Sequence, residues 1–188
     1  MSTIKIAVLV SGGGTNLQAI IDAQKAGILT SGKVELVVAD KKEAYALTRA
    51  ENNNIKTAVI VKKECASKQE FEEKIISVLE ENQIDFIILA GFMQILSESF
   101  TKKYANRIIN VHPSLIPAFC GEGFYGLKVH EAALAYGGEV TGATVHFVNE
   151  IPDGGEIITQ KAVEILDGDT PEILQKRVME NAEWIILP

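Results

Sequence analysis

The chain has 188 residues, 47% of them hydrophobic and 23% charged; this is close to the globular average, excludes a disordered chain and a coiled coil, and points to one compact domain. Its 25 acidic residues outnumber 18 basic ones, giving a formal net charge of -7, so no basic stripe exists to neutralise a polyanion and nucleic acid is not an expected partner. The two cysteines, Cys65 and Cys120, are too few for a disulfide framework, and no apolar run approaches the roughly 20 residues that span a bilayer. With the first strand expected within a few residues of Met1, neither a targeting segment nor a membrane partner is expected, and the expected location is cytoplasmic.

In chain order, Ile4-Lys5-Ile6-Ala7-Val8-Leu9-Val10 is a β-branched apolar run stopped by Ser11-Gly12-Gly13-Gly14, the pattern of a strand buried on both faces. Thr15 or Asn16 is then the expected N-cap of a helix with Leu17, Ile20, Ile21 and Ala23 on one face. The pattern recurs: strand over 34–39, helix 44–52, strand 57–61, and helix 69–82 with Phe71, Ile75, Val78 and Leu79 inward. Strand 85–90, helix 97–104 and strand 107–111 follow. Pro113, Pro117, Gly121, Gly123 and Gly126 then break all periodicity, so 113–126 reads as a loop. Helix 128–136 precedes strands 141–149 and 156–165, joined by the turn Pro152-Asp153-Gly154-Gly155. A last helix is expected with Thr170 as cap, Pro171 at its first position and Glu172 in its first turn. The fold class is therefore α/β: a doubly wound, mostly parallel sheet with helices on both faces and a Rossmann-like first half. Ligands of such sheets sit beyond the carboxyl ends of the strands.

The glycine turn ahead of the first helix lets the backbone approach an anion at a helix N-terminus. It is not a Walker loop and it lacks the third glycine of the dinucleotide fingerprint, so a plain strand-to-helix turn fits it equally. Of three histidines, His130 reads as a solvated surface residue and His146 as a strand histidine bonded to a neighbour. His112 ends a strand before Pro113. Asn110, two residues earlier, points to the same side, with Cα atoms about 6.6 Å apart. An amide donor and an imidazole converging there suit a developing oxyanion, although two polar residues merely ending a strand fit as well. Asp153 is ordinary turn chemistry unless the turn folds over the same edge, where its carboxylate would reach His112 and raise the imidazole pKa. No histidine or cysteine spacing marks a metal site, and no Gly-x-Ser-x-Gly elbow is present.

Taken together, Ser11-Gly12-Gly13-Gly14-Thr15-Asn16-Leu17-Gln18-Ala19-Ile20, Ala90-Gly91-Phe92-Met93, Asn110-Val111-His112-Pro113-Ser114-Leu115-Ile116-Pro117, and Val145-His146-Phe147-Val148 with Asp153-Gly154-Gly155 closely resemble the phosphoribosylglycinamide formyltransferase family over nearly the whole chain. The resemblance implies a single formyltransferase domain over 1–188 and transfer of a formyl group from 10-formyltetrahydrofolate to the primary amine of glycinamide ribonucleotide, a step of de novo purine synthesis, with no metal. It implies that Gly14, Thr15 and Asn16 hold the substrate phosphate, that Glu183 contacts the ribose, and that Met93, Gln94, Ile95 and Leu96 line the folate pocket, with Lys68 and Asn110 also contacting the cosubstrate. Asn110, His112 and Asp153 match the catalytic trio. Gln94 and Lys68 stand where many relatives carry arginine, the 119–126 loop is longer than in many relatives, and Pro188 falls short of the family's usual end, so a last segment is expected to be missing. A formyltetrahydrofolate deformylase would use the same trio with water as acceptor but usually carries an extra N-terminal domain. A noncatalytic nucleotide-binding module is the reading from a different class, and turnover separates it from the others.

Overall fold

The computed structural model describes residues 3–188. They form two compact units, one running up to Ile108 and including Pro188, the other Ile109–Leu187.

The first unit alternates strand and helix. It holds β1 (Ile4–Val10), α1 (Thr15–Lys25), β2 (Gly32–Ala39), α2 (Tyr45–Glu51), β3 (Lys56–Val59), a 3-10 turn at Lys62–Glu64, α3 (Lys68–Glu81), β4 (Phe86–Leu89) and α4 (Glu98–Lys103). β1 lies parallel between β2 and β4, and β2 pairs in parallel with β3. The continuous apolar run of β1 is buried from Ile6 to Val10, as a central strand covered on both faces requires. Phe71, Ile75 and Leu79 form the buried stripe of α3, whereas Val78 is only half-buried and Glu72 takes a buried place beside Phe71. Ser67 caps that helix by accepting from the Glu70 N–H at 3.1 Å, while the Glu70 carboxylate accepts from the Ala66 N–H at 2.6 Å. The first bond satisfies a donor that the first turn of a helix leaves open, and the second ties the residue before the cap back onto that turn.

The expected cap of α1 is overturned. Gly14, not Thr15 or Asn16, occupies the cap position, with φ 71° and ψ 33° and no side-chain cap bond. A Cβ at Gly14 would lie 2.6 Å from the Cβ of Ala46 on α2. The chain therefore enters α1 through a left-handed residue pressed against α2, and Thr15 is already the first helical residue.

The second unit carries β5 (Ile108–His112), α5 (Leu127–Tyr136), β6 (Val140–Phe147), β7 (Ile157–Glu164), α6 (Pro171–Val178), a π-helical turn at Met179–Glu183 and α7 (Trp184–Ile186). β6 is antiparallel to both β5 and β7. Residues 113–126 hold no strand or helix. Thr170 caps α6 by accepting from Ile173 N–H, with Pro171 opening the helix and Glu172 in the first turn. His130 is not on the solvated surface as expected: it is fully buried on α5 with Val129 and Ala133, the three sharing the inward stripe. Among the described residues the sheet is seven-stranded and mostly parallel, ordered β3-β2-β1-β4-β5-β6-β7. Among the described residues no helix is long and apolar enough to cross a membrane.

Candidate functional site

In the first unit, two loops at the carboxyl ends of β1 and β4 are held in place by short polar bonds. The carbonyls of the glycine turn are tied to α2: Gly12 O accepts from Ala46 N–H at 3.1 Å and Gly13 O from Arg49 Nε at 2.8 Å. The turn's carbonyls are thus engaged on one side, and Arg49 brings a cation to it. Gly13 has open space where a Cβ would stand. Asn16 is 9% exposed. This geometry suits an anion at a helix N-terminus, and Arg49, absent from the sequence-based candidates, lies against the same turn as Gly14. Its signal was faint, because one arginine in an amphipathic helix reads as surface.

After β4, Met93 N–H donates to Ser11 Oγ at 2.8 Å, and Gln94 bridges Asp40 and Lys62, donating from Nε2 to Asp40 Oδ2 at 2.7 Å and accepting from Lys62 Nζ at 3.1 Å. Lys68 Nζ lies 3.9 Å from the buried Glu72 carboxylate, which accepts from both N–H and Oγ of Ser97. Leu96 is buried at 6%, whereas Met93 and Ile95 are 44% and 54% exposed. The backbone of this segment is anchored at both ends and presents two apolar side chains to solvent, a surface that suits the flat aromatic part of a folate.

The second unit gathers Asn110, His112, His146 and Asp153. Asn110 and His112 alternate on β5, opposite His146 and Thr144 of β6. Thr144, fully buried, donates to Ser114 O at 2.7 Å and accepts from Ile116 N–H at 3.1 Å, which fastens the segment after His112 to β6. The turn carrying Asp153 is fixed by contact. A Cβ on Gly155 would stand 1.7 Å from the Phe147 carbonyl oxygen, so only glycine lets the turn lie against the end of β6. Asp153 itself adopts φ 55°.

Its carboxylate is the hub. Oδ2 accepts from Gly121 N–H at 2.9 Å and lies 3.4 Å from His112 Nδ1; Oδ1 lies 3.5 Å from both Asn110 Nδ2 and His146 Nε2. Burial pushes the Asp153 pKa up, but the neighbouring His146 and His112 rings and the Gly121 amide outweigh it, and the carboxyl sits below its ordinary value. The expected rise of the His112 pKa is overturned. Burial lowers it, and neither Asp153 nor the Phe119 carbonyl, 2.8 Å from Nε2, compensates in full. A carbonyl only accepts, so neutral His112 carries its hydrogen on Nε2. The pair thus rests as carboxylate and neutral imidazole. His130 is pulled further down, to about 4, first by burial and then by His112, and neither of its ring nitrogens has a hydrogen-bond partner. Glu183 is 6% exposed in the π-helical turn of the same unit. Among the described residues no group of three or more histidine, cysteine, aspartate or glutamate side chains is placed to hold a metal ion.

Residues 4–188 match the model of the formyl transferase family. The phosphoribosylglycinamide formyltransferase of Haemophilus influenzae is 41% identical over 184 residues, covering 98% of this chain and 84% of that protein. The chain belongs to the phosphoribosylglycinamide formyltransferase family. The chicken trifunctional purine biosynthetic protein adenosine-3 is 45% identical over 94% of this chain, which spans only 17% of that longer protein. Among solved structures, glycinamide ribonucleotide transformylase 1 of Symbiobacterium toebii superposes with a TM-score of 0.92 at 39% identity, covering 99% of this chain and 84% of that one. The formyltransferase of Brucella melitensis gives 0.90 at 41% identity, over 100% and 93%.

Proposed function

We propose that the chain transfers a formyl group from 10-formyltetrahydrofolate to the primary amine of glycinamide ribonucleotide in de novo purine synthesis, as a cytoplasmic enzyme acting as one formyltransferase domain. The observation that carries the reading is the convergence of the Asn110 amide, the His112 ring and the Asp153 carboxylate in a chain of this family. Met93, Gln94, Ile95, Leu96 and Lys68 hold the folate, with the exposed Met93 and Ile95 side chains against its ring system. Gly14, Thr15 and Asn16 hold the ribonucleotide phosphate, with Arg49 adding charge, and Glu183 contacts the ribose.

The cosubstrate supplies an activated formyl carbon. Asn110 donates an N–H to the formyl oxygen as that oxygen gains negative charge. His112 enters neutral, takes up the proton that the amine sheds on forming the new C–N bond, and passes it to the departing folate nitrogen. Asp153, ionised, stabilises the imidazolium while it lasts. The preference for a ribonucleotide amine over water is what separates this from a deformylase. Release of tetrahydrofolate is followed spectroscopically with and without glycinamide ribonucleotide; release that requires the ribonucleotide is expected, whereas equal release without it would make the chain a hydrolase.

A further inference from the structure

Asn110 and His146 stand opposite each other in the β5–β6 ladder, and His146 is 1% exposed. Its Nδ1 lies 2.8 Å from the carbonyl oxygen of Phe147. A carbonyl oxygen only accepts, so Nδ1 carries the hydrogen, and the neutral ring presents a bare lone pair at Nε2. Asn110 Nδ2 is 3.3 Å from that lone pair and gives it one hydrogen. The opposite orientation of the amide would set its oxygen against the lone pair and against Asp153 Oδ1, both of which repel it. The second hydrogen of Nδ2 points to Asp153 Oδ1 at 3.5 Å, the outer edge of hydrogen bonding. It is weakly held and is the donor free to go to a better acceptor.

Resting on the formyl-transfer reading above, we propose that His146 is a positioning residue: its Nε2 lone pair fixes the Asn110 amide so that the loosely held Nδ2 hydrogen is aimed at the formyl oxygen as charge develops there. Without that lone pair the amide can turn over and present its oxygen to a developing negative charge. Removing one such donor from an oxyanion site lowers kcat by about 10²–10³. Misorienting it part of the time costs on the order of tenfold.

His146→Leu removes the lone pair, and His146→Gln returns an acceptor near the position of Nε2. The expected result is a kcat at least tenfold lower in the leucine variant, little change in either KM, and recovery of most of the loss in the glutamine variant. In an Asn110→Ala background, where no amide remains to be oriented, His146→Leu is expected to lower kcat no further. The same loss in both backgrounds, or a leucine variant within twofold of wild type, would overturn the proposal. If the leucine variant does not fold, the glutamine variant and the ring itself still decide. Nitrogen-15 NMR of the wild-type protein at neutral pH is expected to show His146 with hydrogen on Nδ1 alone, and an Nε2–H or imidazolium form overturns the proposal without any assay. Absence of all turnover in wild type would instead overturn the formyl-transfer reading, and this role with it, a result distinguishable because the tautomer is read independently.

Discussion

Asp153 and His112 set the chemistry at the scale of single residues. Their charges are coupled: burial holds His112 below its ordinary pKa, and the Asp153 carboxylate opposes that pull from 3.4 Å. Asp153→Asn keeps the side-chain volume and removes the opposition, so the His112 pKa is expected to fall further, as read by NMR titration of the ring. Formyl transfer is expected to drop on the order of 10²-fold with both substrates still bound. An unmoved His112 pKa with normal turnover would leave Asp153 as a turn residue. His130 gives a separate test on stability. Its folded pKa is about 4 against an unfolded value of about 6.5, so between those pH values the unfolded chain binds a proton that the native one refuses. Stability is present in full above pH 6.5 and is lost as pH falls toward 4, by on the order of 3 kcal/mol. Urea denaturation across that window is expected to show a flatter pH dependence in His130→Leu than in wild type, and identical slopes would contradict the assignment.

Elements decide which substitutions test a site and which break the fold. Gly14 is pinned by Ala46 at 2.6 Å and by its positive φ, so Gly14→Val is expected to destabilise the α1–α2 packing and lower Tm whatever binds there. Gly13 has open space around a new Cβ. Gly13→Ala is therefore expected to leave Tm nearly unchanged while raising KM for glycinamide ribonucleotide several-fold and sparing KM for the folate. Equal effects on both would remove the phosphate from this turn. The strands and helices were legible in the chain because their apolar periods are unambiguous: β1 and α6 begin where composition and capping residues place them. The start of α1 was not, because Thr15 is a good capping residue and only the contact between Gly14 and Ala46 shows that the cap lies one residue earlier.

Across the whole molecule, the trio Asn110, His112 and Asp153 was legible as residues two apart on a strand and a glycine turn, and the family resemblance joined them. Its electrostatics were not legible. The sign of the His112 shift depends on burial at 4% exposure, a tertiary quantity, while the sequence displays only the nearby charge. His130 was passed over for the same reason, since a histidine on a helix carries no mark of the face that turns inward, whereas His146 was legible as a strand histidine bonded to a neighbour, though not to which one across the ladder.

The most direct measurement follows the carbon itself. Wild-type protein is incubated with 10-formyltetrahydrofolate carrying carbon-13 in its formyl group, together with glycinamide ribonucleotide, and the products are resolved by mass spectrometry and NMR. The label is expected as an amide formyl on the ribonucleotide, with Asp153→Asn transferring it on the order of 10²-fold more slowly. Label recovered as free formate, or retained on the folate, would contradict the account.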